Sequence, residues 1–349
     1  MLAILAVVGV LLLVDLLRKL VVGTLPVSQL VSYVLNGLVV GLVVGLAGVG
    51  LSMTYSILNF ANFAHGDYLT VGGFAGWTAT SLVAWAFASV GATFEIVFLL
   101  RSSQLTLTIA TTPVAIVCGM VVAALFTVGL ALAIDRLVYR PMRGQDAIPL
   151  LIASIGVALA LRYLVVFVYG PSNRGLTALS RIPSWSVYVL DGTVTFNAHQ
   201  LTLIVVGVAS MVGIHLLLQY TKLGTAMRAM ADNESLARVT GIPTERIVRA
   251  TWVIGGGLAG LAGYLIVLER GVILYNIGWV LLLLIFAAVI LGGIGSVYGA
   301  MAGGILIGLT TTLSLIWIPS SFTKAAAFGV MILVLLFRPE GLFGGVTTA

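Results

Sequence analysis

Apolar runs long enough to cross a bilayer recur from one end of this 349-residue chain to the other. A bilayer core is about 30 Å thick and takes roughly 20 helical residues to cross. Inside it every backbone N–H and C=O must find a partner within the protein, so spanning segments are helices or the strands of a closed barrel. Barrel strands read as short alternating segments, and none dominates here. The fold class is therefore all-α: a polytopic transmembrane helical bundle with interrupted helices and about 8–10 membrane segments. Charged residues make up only 8% of the chain, against roughly 25% in a soluble protein.

The candidate spans are Leu2–Leu17, Val31–Leu58, Tyr68–Val90, Leu105–Ile134, Ile148–Val168, Leu201–Leu218, Ala250–Leu268, Val280–Leu291, Val297–Ile318 and Ala325–Phe337. Val31–Leu58 is long for one crossing. Gly41, Gly45, Gly48 and Gly50 either kink it or admit a neighbouring helix closely. One crossing and a crossing with partial return both fit. The first run carries Asp15, Arg18 and Lys19 at its far end and no charge before it. That is the reverse of a signal peptide, so a retained helix is expected.

Basic loops stay in the cytoplasm. Arg136, Arg140 and Arg143 share one short loop, and Lys222, Arg228, Arg238, Arg246 and Arg249 share another. Both lie inside if Gly170–Gln200 lies outside, which also puts Glu269–Gly278 outside and Arg338-Pro339-Glu340 inside. Arg18 and Lys19 join the inner side only if the 31–67 stretch crosses twice.

The second basic loop, Tyr220–Arg249, is the longest well-charged segment and also holds Asp232, Glu234 and Glu245. A helix is expected from about Thr225 to Thr240, stopped by Gly241 and Pro243. Ala226, Met230, Asn233 and Ala237 line one stripe of it. The segment reads either as a helix that docks a partner or as a solvated connection between spans.

Two interrupted segments stand out. Asn59, Asn62, His65, Gly66 and Asp67 crowd into NFANFAHGD, and such residues are costly at membrane depth. They mark either a helix broken within the membrane or a tight interfacial turn. Gly292, Gly293, Gly295, Ser296, Gly299, Gly303 and Gly304 form a second cluster with two GxxxG pairs, suited to close packing or a second break. No Lys-Ser or Lys-Thr follows these glycines, so they are not a phosphate loop. Of the isolated charges, Arg162 reads as a pathway residue, a snorkelling residue or half of a pair. Glu269-Arg270 reads as an exposed pair and His215 as structural.

The net charge of +6 follows from the cytoplasmic loops, and no aromatic-basic interleaving points to nucleic acid. The single cysteine, Cys118, excludes an intrachain disulfide. No nucleophile–base set supports an intramembrane enzyme. No nucleotide-binding motif is present, so ATP-driven transport would need ATP bound by another chain.

Four stretches in order, LNFANFAHGDYLTVGG (58–73), TKLGTAMRAMADNESLARVTGI (221–242), AVILGGIGSVYGAMAGG (288–304) and LFRPEGLF (336–343), resemble the permease subunits of branched-chain amino-acid ABC importers, the LivH type. The resemblance implies a permease domain over 28–349, preceded by an N-terminal helix and linker over 1–27. It implies a multi-pass protein of the cytoplasmic membrane that is not itself an enzyme. Its partners would be a second permease subunit, as homo- or heterodimer, two cytoplasmic ABC ATPases that bind ATP and Mg, and an extracytoplasmic binding protein. No cofactor is expected on this chain. The coupling helix would fall on Gly224–Gly241, with Gly224, Ala226, Met227, Met230, Ala231, Asn233, Glu234, Ala237 and Gly241 at the ATPase contact. Asn59, Asn62, His65, Gly66, Asp67, Gly293, Gly295 and Ser296 would border the translocation path. Branched-chain amino acids are the family's usual cargo, while urea and short amides pass through similar permeases. The alternative is a stand-alone secondary transporter or channel for a small polar solute such as urea or an amide, with its site near Asn62, His65 and Asp67.

Overall fold

The long run near the N-terminus is one uninterrupted helix, α2 (Val27–Leu58), so it crosses once. The computed structural model describes residues 2–88, 107–144, 146–177 and 179–344, with side chains from residue 9 onward. The glycines of α2 serve approach rather than kinking. A Cβ on Gly41 would stand 2.8 Å from the Cα of Ile305, and one on Gly50 would stand 2.9 Å from the Gly255 carbonyl oxygen.

Around α2 the chain adds α1 (Leu2–Val22), α3 (His65–Ala88), α4 (Pro113–Ile134), α5 (Ala147–Tyr169) and α6 (Ala198–Tyr220). Two short helices follow, α7 (Lys222–Asp232) and α8 (Glu234–Val239). The remainder is α9 (Thr244–Arg270), α10 (Ile277–Gly292), α11 (Val297–Leu313) and α12 (Thr323–Phe337). Seven of the described segments are long and apolar enough to cross a membrane, and α10 is a shorter apolar helix. The expected span ends at Val90 and Leu105 lie outside the described residues.

α2 and α9 are the most buried spans, whereas α5, α6 and α12 turn apolar side chains such as Phe167, Val205 and Ile332 outward. Such a face suits lipid, which is as apolar as the side chains it meets. Below α4 the helix widens through a π-type turn at Asp135–Tyr139, which turns both of those side chains inward.

The single crossing of α2 settles the N-terminal side. Its start touches the outer loop, so α1 also ends outside, where Lys19 Nζ donates to the Ile316 carbonyl at 3.2 Å. Asp15 pairs with Lys19 at 3.1 Å and accepts from Trp317 Nε1 at 2.9 Å. Arg18 and Lys19 thus depart from the inner placement of the other basic residues, and Asp15 offsets part of their charge.

The outer segment contains a hairpin that the span pattern did not predict. β2 (Ser184–Val189) pairs antiparallel with β3 (Gly192–Asn197), while a shorter pair joins β1 (Arg174–Gly175) to β4 (Val272–Ile273) beyond α9. The signal was present as alternating β-branched residues about Asp191-Gly192. Asp191 at the hairpin tip accepts from the Val27 and Ser28 amides at 2.6 and 3.0 Å and so caps α2 from outside that helix.

Those Ser28 and Val27 amides hold the Asp191 carboxyl below its ordinary value of 3.8. A group whose folded value is depressed stabilises the fold above its unfolded value and loses that contribution as pH falls through the folded one. Amide exchange at Val27 and Ser28, corrected for intrinsic rates, is therefore expected to accelerate once pH drops below 3.8. Asp191→Asn should raise that exchange at neutral pH and flatten its pH dependence. Unchanged exchange in Asp191→Asn would show that the carboxylate does not cap α2.

Candidate functional site

α2 ends because Asn59 takes a left-handed conformation with φ 54°, its amide donating to the Tyr55 carbonyl at 2.8 Å. The chain then turns and runs back as α3. Ser154 Oγ, two turns into α5, accepts from the Phe63 amide at 3.0 Å, which places the turn at a depth within the bundle. Asn62 is fully buried, and its Oδ1 accepts from the Ala64 amide at 3.0 Å and from the Tyr139 hydroxyl at 3.2 Å. Tyr139 stacks on Trp252 with ring centroids 5.3 Å apart and meets Phe60 at 5.2 Å. These aromatics fill the space beneath the break.

The other polar residues of the segment join helices. His65 places Nε2 2.9 Å from the Ala47 carbonyl oxygen, tying α3 to α2. Gly66 brings the backbone of α3 against Gly278, whose amide donates to Thr70 Oγ1 at 3.0 Å. Asp67 is fully buried and takes two hydrogen bonds from Arg162, from Nε at 3.2 Å and from Nη2 at 2.9 Å. The guanidinium lies 4.5 Å from the ring centroid of Trp279. One ion pair therefore joins α3, α5 and α10, and of the readings open for Arg162 the paired one holds.

The second break is likewise closed from within. Gly293 and Gly295 have φ of 107° and 86°, a region that favours glycine, and Ser296 Oγ accepts from the Gly299 amide to start α11. The C-terminal segment seals this turn, because the Leu342 and Phe343 amides each donate at 2.9 Å to the Leu291 and Gly292 carbonyls. Of the eight residues expected along the path, Asn59 borders a described cavity, while Asn62, His65, Gly66 and Asp67 lie within helix contacts. Most of their polarity satisfies partners in this chain, while Asn62 Nδ2 is buried without one.

The cavity beside Asn59 has about 520 Å³ and lies at the cytoplasmic side, between Tyr139, Leu150, Met230 and Glu234. Arg143 organises its rim by binding Asp135 at 2.6 Å and Glu245 at 2.8 Å, and Arg140 adds a longer contact to Glu245 at 3.7 Å. The inner loop after α4 is thereby fastened to the start of α9.

The helix expected from Thr225 to Thr240 is two helices. Asn233 is extended, with φ −159°, and its side chain accepts from the Leu236 amide at 2.9 Å, capping α8 where α7 stops. The break also rotates the face. Gly224, Met227, Met230 and Ala237 are buried against the spans, Ala226 and Ala231 are half-buried, and Asn233, Glu234 and Gly241 are exposed. Met230 and Ala237 of the expected stripe therefore face into this chain, while Ala226 and Asn233 stay half-buried and exposed. Leu236 and Val239 are the exposed apolar residues of α8, at 61% and 85% exposure. Sequence periodicity missed them because it ran one helix through the Asn233 cap.

Together these features define a multi-pass helical membrane protein with two broken helices and a helical pair held at its cytoplasmic side. The chain belongs to the family described as branched-chain amino acid transport system / permease component, whose model matches residues 33–336. It is 30% identical over 312 residues to the high-affinity branched-chain amino acid transport system permease protein BraD of Pseudomonas aeruginosa, covering 88% of this chain and 94% of that one. The permease protein LivH of the same kind of system in Escherichia coli K12 is 29% identical over 310 residues, covering 88% and 94%. A shorter similarity, 28% over 121 residues, links 34% of this chain to 28% of the Escherichia coli K12 permease protein LivM. Among solved structures, PsaBC from Streptococcus pneumoniae in complex with Fab aligns with 87% of this chain at 15% identity and a TM-score of 0.41.

Removing one partner of a buried ion pair leaves the other charge uncompensated, at a cost of about 3–5 kcal/mol, whereas replacing both with apolar groups costs far less. Asp67→Leu and Arg162→Leu are each expected to destabilise the solubilised chain by about that amount, and the double variant by much less than the sum. Thermal unfolding in detergent measures this. Additive losses would show that the two residues act separately.

Proposed function

We propose that this chain is the membrane-spanning permease of an ATP-driven importer of branched-chain amino acids, coupled to separate ATPases through α8. The observation that carries the reading is the placement of α8. It is a short capped helix between two spans, fixed to its own bundle through Met230 and Ala237, with Leu236 and Val239 left exposed on the cytoplasmic side. Two apolar residues flanked by Glu234 and Arg238, which pair with each other at 2.7 Å, form a small docking patch with a polar rim. Family membership and the relatives' names support the cargo.

ATP and Mg belong to the partner chains, two ATPases on the cytoplasmic side, while a second permease completes the pore and a binding protein delivers substrate outside. ATP binding closes the ATPases and pulls on α8. The Arg143 cluster then passes that displacement from α9 to the end of α4, and the spans rock between outward-facing and inward-facing states. The packed polar break makes the rival reading, a solute site at Asn62, His65 and Asp67, the weaker one.

Single cysteines at Leu236 and Val239 in a Cys118→Ser background are expected to crosslink an ATPase in intact membranes, with Met230 as the inward-facing control. Leu236→Glu or Val239→Glu should lower ATP-driven leucine uptake about tenfold or more, since a charge forced into an apolar contact removes its central anchor. Membrane levels should stay unchanged. Full uptake driven by an ion gradient without any ATPase would overturn the reading.

A further inference from the structure

A second cavity, of about 460 Å³, opens at the outer ends of the spans and is walled mainly by aliphatic side chains, among them Val43 and Val44 of α2 and Leu281 and Leu284 of α10. Its volume falls in the range of about 300–1,000 Å³ usual for small-molecule sites. Two charged residues, Glu269 and Arg270, close α9 and line the same space. They do not neutralise each other by contact, because no ion pair within 4.0 Å joins them among the described residues. Glu269 Oε1 accepts a long hydrogen bond from Gln200 Nε2 at 3.3 Å, and Glu269 Oε2 is buried with no partner. The Arg270 side chain is exposed at the rim and makes no hydrogen bond to the described residues. A buried carboxylate oxygen without a donor is costly, and a guanidinium fork is suited to a carboxylate.

We propose that this cavity is a binding site for a free amino acid as its zwitterion. Glu269 accepts from the α-ammonium, Arg270 donates to the α-carboxylate, and the branched side chain lies against Val43, Val44, Leu281 and Leu284. An ammonium supplies the donors that Glu269 Oε2 lacks, and a carboxylate replaces solvent at the exposed Arg270 fork. The three-carbon and four-carbon branched side chains match an aliphatic wall that offers no polar partner beyond the mouth. Because the charged pair stands at the outer end, substrate enters here head-group outward and side chain first. Gln200, which also caps α6 and reaches Asn36 at 3.2 Å, holds the Glu269 carboxylate in place. The inference deepens the import reading and rests on it for the class of cargo.

The test compares three ligands on the full-length chain in nanodiscs: L-leucine, L-leucinamide, which lacks the carboxylate, and 4-methylpentanoate, which lacks the ammonium. Wild-type protein should bind leucine better than either analogue. Arg270→Gln should weaken leucine about tenfold or more and abolish the preference over leucinamide. Glu269→Gln should abolish the preference over 4-methylpentanoate while keeping that over leucinamide. Val43→Trp, which fills the aliphatic wall, should weaken all three. A purely structural role for either charge would lower the three ligands together, and that result overturns the site. So does undetectable leucine binding to the wild-type chain at millimolar ligand, or binding that follows apolar size alone. If the Leu236 crosslink to an ATPase is recovered while these preferences fail, this site alone is wrong. If the preferences hold while the crosslink fails, the site stands and the ATP-driven reading does not.

Discussion

Helices in hydrocarbon gain little from hiding apolar surface from lipid, so this bundle depends on backbone approaching backbone. Gly41 and Gly45 meet α11, Gly50 meets Gly255 of α9, Gly66 meets Gly278 of α10, and Gly292 meets Gly299 across the second break. At each crossing a Cβ would collide with the facing main chain. The contacts have one geometry, which makes the bundle a set of rigid plates rather than an adaptable oil-like core. Rocking motions of such a molecule pass through the ends of the helices, where loops and caps hold them.

The same constraint explains where the polar residues went. Once a helix stops inside the bundle, its freed backbone groups and any charge beside them must be satisfied on the spot. Asn62 binds the turn and Tyr139, His65 reaches the Ala47 carbonyl, and Asp67 binds Arg162 on Trp279. In the proposed reading, function falls to the two ends: α8 and the Arg143 cluster on the inner side, and the cavity at Glu269 and Arg270 on the outer side.

Much of the architecture was legible in the sequence, because span length and loop charge are direct consequences of the bilayer. The sides of the loops at 136–143, 170–200 and 220–249 follow from arginine placement, and the motif order identifies the family. What was not legible depends on contact. Asn233 reads as one more residue of a helical stripe until its side chain is seen capping α8, and that cap exchanges an expected outer face for a buried one. Glu269-Arg270 reads as an exposed pair; Arg270 is exposed, but Glu269 is half-buried, no ion pair joins them among the described residues, and both line a cavity. The outer hairpin was signalled by Asp-Gly and alternating residues, a pattern overshadowed by the longer apolar runs on either side. Arg18 and Lys19 escape the inside rule because Asp15 and Trp317 hold that end of α1 outside.

The central claim is that the polar break is packed structure and that substrate meets the chain elsewhere. Single cysteines at Val40 and Val272, half-buried residues that line the outer cavity, and at the buried Asn62 and His65, in a Cys118→Ser background, offer the most direct measurement. Their rates of reaction with a small water-soluble thiol reagent are compared with and without leucine, in the resting importer and with ATP trapped. The account predicts that Val40 and Val272 react and are protected by leucine, while Asn62 and His65 stay unreactive throughout. Reaction at Asn62 or His65 that leucine suppresses, with no leucine protection at Val40 and Val272, would contradict it and return the path to the broken helix.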